Sequence, residues 1–327
     1  MSRIRIPVLV TTLIMLAPAI APAQTNPAAG YPSRAIRFVV PTAPGGGVDT
    51  LARLVGQALS ATWGQQVLVD NRGGASGIIG TEIVARSAGD GHTLLVTPTT
   101  FSTNVSLFRK LPYDARKDFT AVSLLSKEPN ILMVHPSLPV QTPANLVALG
   151  KRRPEDLNFG FGGSGSTASL SGELFKLRTG IRMAGISYKG NGPAVSALTT
   201  GEVQVMFVGL PPTLPLVKDG RLKPLAVTSN QRSPFLPAVP TMAESGIADF
   251  EVTNWVGVIA PAATPAPVVR KISAEIARIL ATADMKKRFE FYGATPDSST
   301  PEEFRSFLES EIKRWGEVVR AAKMQVN

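Results

Sequence analysis

The 327-residue chain contains no cysteine, which excludes disulfides, thiolate nucleophiles, cysteine metal ligands and attachment of a lipid to a cysteine. It has two histidines, His92 and His135. They stand far apart, each beside a strand pattern, so a Ser-His-Asp arrangement has no evident base. No acidic pair joins them at metal-ligand spacing. Aromatic residues make up only 6% of the chain, and Lys and Arg form no stripe. The basic triplet Lys151-Arg152-Arg153 is followed at once by Pro154 and Glu155, as in a solvated loop. The footprint of a nucleic-acid binder is therefore missing, and no nucleic-acid partner is expected. Gly-x-Ser-x-Gly and the Walker A loop are both absent. No cofactor and no metal are expected, and common catalytic chemistry has no residues to work with.

What is present begins at the N-terminus. Arg3 and Arg5 precede an apolar run from Ile6 to Leu16, and Ala21-Pro22-Ala23 offers small residues just before Gln24. This is the layout of a secretory signal peptide over residues 1–23, with cleavage near Ala23 and export to the periplasm. The apolar run is short for a bilayer span. The net charge of +10 falls to +8 once Arg3 and Arg5 are removed. About 300 residues would remain, more than one hydrophobic core usually organises, so two domains are expected.

Along the rest of the chain strand and helix patterns alternate. Ile36, Phe38, Val39 and Val40 read as a strand, and Val48, Leu51, Ala52, Val55, Ala58 and Leu59 recur at helical spacing. Strands are predicted at 67–69, 93–96, 131–134, 157–159, 186–188, 203–207 and 225–227, with helices at 78–88, 142–151, 167–179 and 191–200. Such alternation predicts an α/β fold with parallel sheets covered by helices. The C-terminal third reads as helical: Val268, Val269, Ile272, Ile276 and Ile279 form one stripe. Phe304, Phe307, Leu308, Ile312, Trp315 and Val319 form another, opened by a Thr300-Pro301-x-Glu303 capping box.

Two glycine-rich turns sit between a strand and a helix. Pro41-Thr42-Ala43-Pro44-Gly45-Gly46-Gly47-Val48-Asp49 lets the backbone turn sharply and brings its N–H groups close to a ligand. The following helix adds unpaired amides and the positive end of its dipole, a combination that favours an anion. Gly160-Phe161-Gly162-Gly163-Ser164-Gly165-Ser166-Thr167 places Gly160, Gly162 and Gly165 at dinucleotide-fingerprint spacing. No acidic residue lies between Glu173 and Glu202 to hold a ribose, however. The hydroxyls of Ser164, Ser166 and Thr167 can instead join backbone amides around an anion. Capping of the helix alone is the alternative reading of the same residues. Asp49 reads as a helix-dipole complement or cap. The two turns are expected to face each other across a cleft.

Six motifs then recur in a recognisable order: Ala43-Pro44-Gly45-Gly46-Gly47-Val48-Asp49, Asn71-Arg72-Gly73-Gly74-Ala75-Ser76-Gly77, Asn158-Phe159-Gly160 with Gly163-Ser164-Gly165-Ser166, Tyr188-Lys189-Gly190, Leu225-Ala226-Val227-Thr228 and Val239-Pro240-Thr241. From about Tyr31 to Asn327 the chain resembles the tripartite tricarboxylate transporter substrate-binding proteins, also called the Bug family. The resemblance implies a two-lobed type II periplasmic-binding-protein fold with the ligand in the interlobe cleft. It implies a small-molecule carboxylate as ligand, with the membrane permease subunits of the transporter, or a sensor, as the recipient. One lobe is expected over 31–127 plus 252–327 and the other over 128–251, in a monomer. Carried over residue by residue, the first lobe would contribute Ala43 to Gly47 and Asp49, with Thr97-Pro98-Thr99. The second would contribute Ser164 to Thr167 and Tyr188-Lys189-Gly190, with Gly209. The alternative is a secreted hydrolase or dehydrogenase that uses the glycine-rich turns.

Overall fold

A computed structural model describes residues 28–154, 156–210 and 213–324; the expected signal peptide lies outside the described residues. In chain order the elements are β1 (Ile36–Val40), α1 (Gly47–Trp63), β2 (Val67–Asn71), α2 (Ile78–Ala85), β3 (Thr93–Pro98), α3 (Thr100–Leu107), β4 (Phe119–Val134), α4 (Pro143–Arg152), β5 (Asn158–Phe161) and α5 (Thr167–Thr179). Then follow β6 (Ala184–Ser187), α6 (Asn191–Thr200), β7 (Val205–Gly209), α7 (Leu214–Lys218), β8 (Lys223–Val227), β9 (Thr253–Pro261), α8 (Ala266–Leu280), α9 (Ala283–Phe291) and α10 (Pro301–Ala321).

The parallel pairings predicted by the alternation are those of β1 with β2 and β3, and of β5 with β6 and β7. Between these two sets run β4 and β9, antiparallel to each other from Phe119↔Pro261 to Pro129↔Thr253. β9 pairs antiparallel with β3, and the far half of β4 pairs antiparallel with β7 and β8. The sheet is therefore mixed rather than parallel throughout. Its two long members pass from one parallel set to the other, which gives the two-lobed binding-protein fold.

Each set has its own apolar core. On the first, Ile36, Phe38 and Val40 of β1 meet Leu51, Val55 and Leu59 of α1 and the stripe Val268, Val269, Ile272, Ile276 and Ile279 of α8. Each such side chain contributes about 1.5–3 kcal/mol by leaving water. On the second, Leu132, Phe159, Phe175, Phe207 and Phe250 pack together. α10 serves both: Phe304 and Leu308 join the first side with Trp255, whereas Trp315, Val318 and Val319 pack into the second. Its start carries the expected capping box, with reciprocal Thr300 and Glu303 bonds.

One predicted helix is too long. α2 stops at Ala85 rather than continuing to residue 88, because the chain must press against the start of α8. A Cβ on Gly89 would lie 2.6 Å from the Ala263 carbonyl carbon.

Candidate ligand-binding cleft

The first glycine turn leaves the start of α1 open. Gly46 is its N-cap, and no side chain caps the helix. Gly45 holds φ 79, a left-handed conformation that a side chain would strain. Asp49 ties the turn down: its Oδ2 accepts from Gly45 N–H at 2.8 Å, and Oδ1 lies 3.0 Å from Arg53 Nη2. Burial acts to raise the Asp49 carboxyl, but the bonds from Arg53 and Gly45 outweigh it and hold the group below the usual carboxylate range.

Three more helices start nearby. α3 follows β3 directly and has no side-chain cap at Thr99; the Thr99 hydroxyl oxygen instead accepts from Trp255 N–H on β9 at 3.3 Å. α5 is capped by Ser166, whose Oγ accepts from Ser169 N–H at 3.3 Å. α6 begins after Gly190 at φ 105, again with no side-chain cap. Gly162 permits that approach, since a Cβ there would lie 2.6 Å from Asn191 N.

Gly47, Thr100, Thr167 and Asn191, the first residues of these four helices, all line one cleft. The cleft has two adjoining parts of about 310 and 330 Å³, which share Gly47, Glu128, Ser166, Thr167, Asn191, Asn254 and Tyr292. Its floor is a closed polar ring on the two long strands and α5. Asn254 Nδ2 donates to Asn130 Oδ1 at 2.6 Å, Asn130 Nδ2 donates to Ser171 Oγ at 3.2 Å, and Ser171 Oγ donates to Thr167 O at 2.7 Å. The Thr167 hydroxyl closes the ring on Asn254 Oδ1.

Among the described residues the lining contains no Lys, Arg or His, and its titratable side chains are Glu128 and Tyr292. Burial, with the charge of Asp297, pushes the Glu128 carboxyl up to about 7, against the pull of the Thr295 N–H and the nearby Ser126 hydroxyl. Positive potential in the cleft comes from backbone. Each helix start carries about half a positive charge and amides without helical partners, so the cleft suits an anion.

Of the residues expected at the site, Gly47, Thr99, Ser166, Thr167 and Gly209 line the cleft, so the two glycine turns do reach one cavity. Ala43, Pro44, Gly45 and Gly46 form the exposed turn before α1, and Asp49 is buried in the first turn of that helix; none of the five lines the cleft. Thr97 is buried within β3. Ser164 is exposed, and Gly165 docks on α3, where Thr103 Oγ1 donates to its carbonyl at 3.3 Å. Tyr188 is turned away: its hydroxyl donates to Glu202 at 2.7 Å. Lys189 is exposed. Gly190 sets the start of α6 without lining the cleft.

Sequence reasoning missed Glu128, Asn130, Asn191, Asn254, Trp255 and Tyr292. Asn130 and Asn254 had a readable signal, an amide side chain at one end of an apolar strand run. Because Ser166 caps α5, Ser166→Ala is expected to lower stability by about 1 kcal/mol. Urea melts read that loss, and the affinity change should stay within about tenfold.

The family described as "Tripartite tricarboxylate transporter family receptor" matches residues 51–324. Protein BugT of Bordetella pertussis (strain Tohama I) is 39% identical over 292 residues, covering 89% of this chain and 90% of that one. Rpa4515 of R. palustris, solved with adipate, is 36% identical with a TM-score of 0.81, covering 90% of this chain and 100% of that one. MatC from Rhodopseudomonas palustris, solved with bound malate, is 34% identical with a TM-score of 0.77, covering 88% and 100%. In sequence and in fold alike, the chain belongs to the tripartite tricarboxylate transporter receptor family.

Proposed function

We propose that this chain is a periplasmic solute receptor that captures a small carboxylate, most simply a dicarboxylate, by closing two lobes over it. The observation that carries this reading is the convergence of four helix starts on one cleft whose lining, among the described residues, has no cationic side chain. Backbone amides and dipole ends hold an anion without a salt bridge. The adipate and malate in two related structures support the ligand class. We assign the lobes to 31–127 plus 252–327 and to 128–251, with the hinge where β4 and β9 pass between them. α10, packed on both cores, would then bend or slide as the lobes close. Export with cleavage near Ala23, a monomeric state and delivery to membrane permease subunits complete the proposal.

A secreted enzyme fits the cleft less well. Ser166 is engaged as a cap, and neither histidine lines the cleft: His92 packs on Tyr31, with ring centroids 5.0 Å apart, and His135 contacts Ser137 at 2.7 Å.

Calorimetry of the exported chain against mono-, di- and tricarboxylates is expected to give one site per chain. Binding should raise the thermal midpoint, because the ligand adds stability to the native state alone. Proton NMR of the same mixtures should show the ligand unconsumed. NAD- or metal-dependent conversion of a bound carboxylate would return the enzyme reading.

A further inference from the structure

Glu128 is a carboxyl group in a cleft that suits carboxylates. It stands on β4 opposite Asn254 of β9 and lines both parts of the cleft. Its Oε1 accepts from Thr295 N–H at 3.3 Å. Other ionisable groups surround it, but none brings a positive charge into the cleft. From the segment after α9 comes Asp297, an acid that burial itself pushes upward, and the end of α9 supplies Tyr292. From α10, Glu303 is occupied at the Thr300 N–H at 2.9 Å. Lys127, the preceding residue, points to the opposite face of the strand; its ammonium lies 3.7 Å from Glu251 and over the Phe307 ring at 5.2 Å, and its charge also favours the ionised form of Asp297.

A ligand carboxylate entering this cleft takes up the field of the helix starts. An ionised Glu128 would then meet it with water excluded, where like charges repel strongly. We propose that Glu128 acts in the liganded cleft as a carboxylic acid whose O–H donates to a carboxylate oxygen of the ligand, so that capture is coupled to one proton. The proton stays on Glu128 throughout. In acid it is already in place, and above the titration range of the group it is taken from solvent on binding. An O–H···carboxylate bond of this kind is short and charge-assisted. The burial that brings the group to about 7 places the coupling near neutrality. This inference rests on reading the cleft as a carboxylate site and specifies how that site selects its ligand.

The test is isothermal titration of the exported chain with adipate, and in parallel with malate, at pH 6, 7 and 8, each in two buffers of different ionisation enthalpy. Affinity is expected to fall about tenfold from pH 6 to pH 8. Uptake should be about one proton per adipate at pH 8 and close to none at pH 6. In E128Q the ratio of affinities between the two pH values should shrink to within about twofold, and the buffer dependence should vanish. Wild-type binding that is indifferent to pH and takes up no proton overturns the proposal and leaves the carboxylate site standing. Affinity that rises with pH, as when an ionised Glu128 accepts from a ligand hydroxyl or ammonium, overturns it too. If neither adipate nor malate binds at any of the three pH values, the carboxylate reading itself fails, and this inference with it.

Discussion

Gly47→Val should abolish most ligand affinity while leaving the fold intact. Gly47 is the first residue of α1 and lines both parts of the cleft. A Cβ built there meets no atom within 4 Å, so the protein itself makes room for a side chain. That room is the space beside the open helix start. A valine would hold the ligand away from the amides of α1, and no neighbouring Lys or Arg could substitute for them. The loss should be at least about a hundredfold, about 2.8 kcal/mol. Calorimetry would read the affinity, and circular dichroism melting should show a midpoint within a few degrees of the parent. Gly45 behaves differently: its φ of 79 makes any substitution a test of the turn rather than of the site. Wild-type affinity in Gly47→Val would mean that the first turn only shapes the fold.

The largest stability effect is expected at Glu311→Ala. Glu311 is 2% exposed on α10. Its Oε2 accepts from both Trp255 Nε1 at 3.2 Å and Trp315 Nε1 at 2.8 Å, and its Oε1 lies 2.8 Å from Arg314 Nη2. Truncation leaves two indole N–H groups without an acceptor in rings that are 1% and 0% exposed, each a loss of about 1–3 kcal/mol. The Arg314 guanidinium also loses its partner, but with its side chain 32% exposed water screens that loss and it adds little. A total near 4 kcal/mol should appear as a lower urea midpoint with an unchanged slope. Glu311→Gln keeps one acceptor oxygen and should lose about half as much. Because Trp255 also lines the cleft, the alanine variant should bind more weakly even under conditions where it remains folded. A loss below about 1 kcal/mol would show that the two indoles find other acceptors.

The elements best written in the sequence are those whose ends carry their own chemistry. α5 and α6 occupy the predicted 167–179 and 191–200 because Ser166 caps one and Gly190, Gly180 and Gly201 supply the positive-φ boundaries. The α10 start was legible for the same reason. What escaped was the half of β4 from Phe119 to Pro129. Residues 121–126 are buried on both faces, so no alternation marks them. α3 escaped because Thr100-Phe101-Ser102-Thr103-Asn104 has weak helix propensity and is held by packing under the Gly165 turn. The site followed the same division. Gly47, Ser166 and Thr167 sit at glycine-rich turns that announce a ligand, whereas Glu128, Asn130 and Asn254 lie on strands and reach the cleft only because two distant segments cross there. Tyr188 and Lys189 came with a family motif, and it is the glycine beside them that sets the start of α6.

The most direct measurement is a crystal structure of the exported chain grown with adipate. One carboxylate should lie within hydrogen-bond distance of the amides at the start of α1, with the hydroxyl or amide of Thr167 on its other side and Glu128 within reach of a ligand oxygen. Adipate bound instead at the surface pocket of Arg116, Lys117 and Arg305, with the cleft left to water, would contradict a receptor that grips its ligand between helix starts.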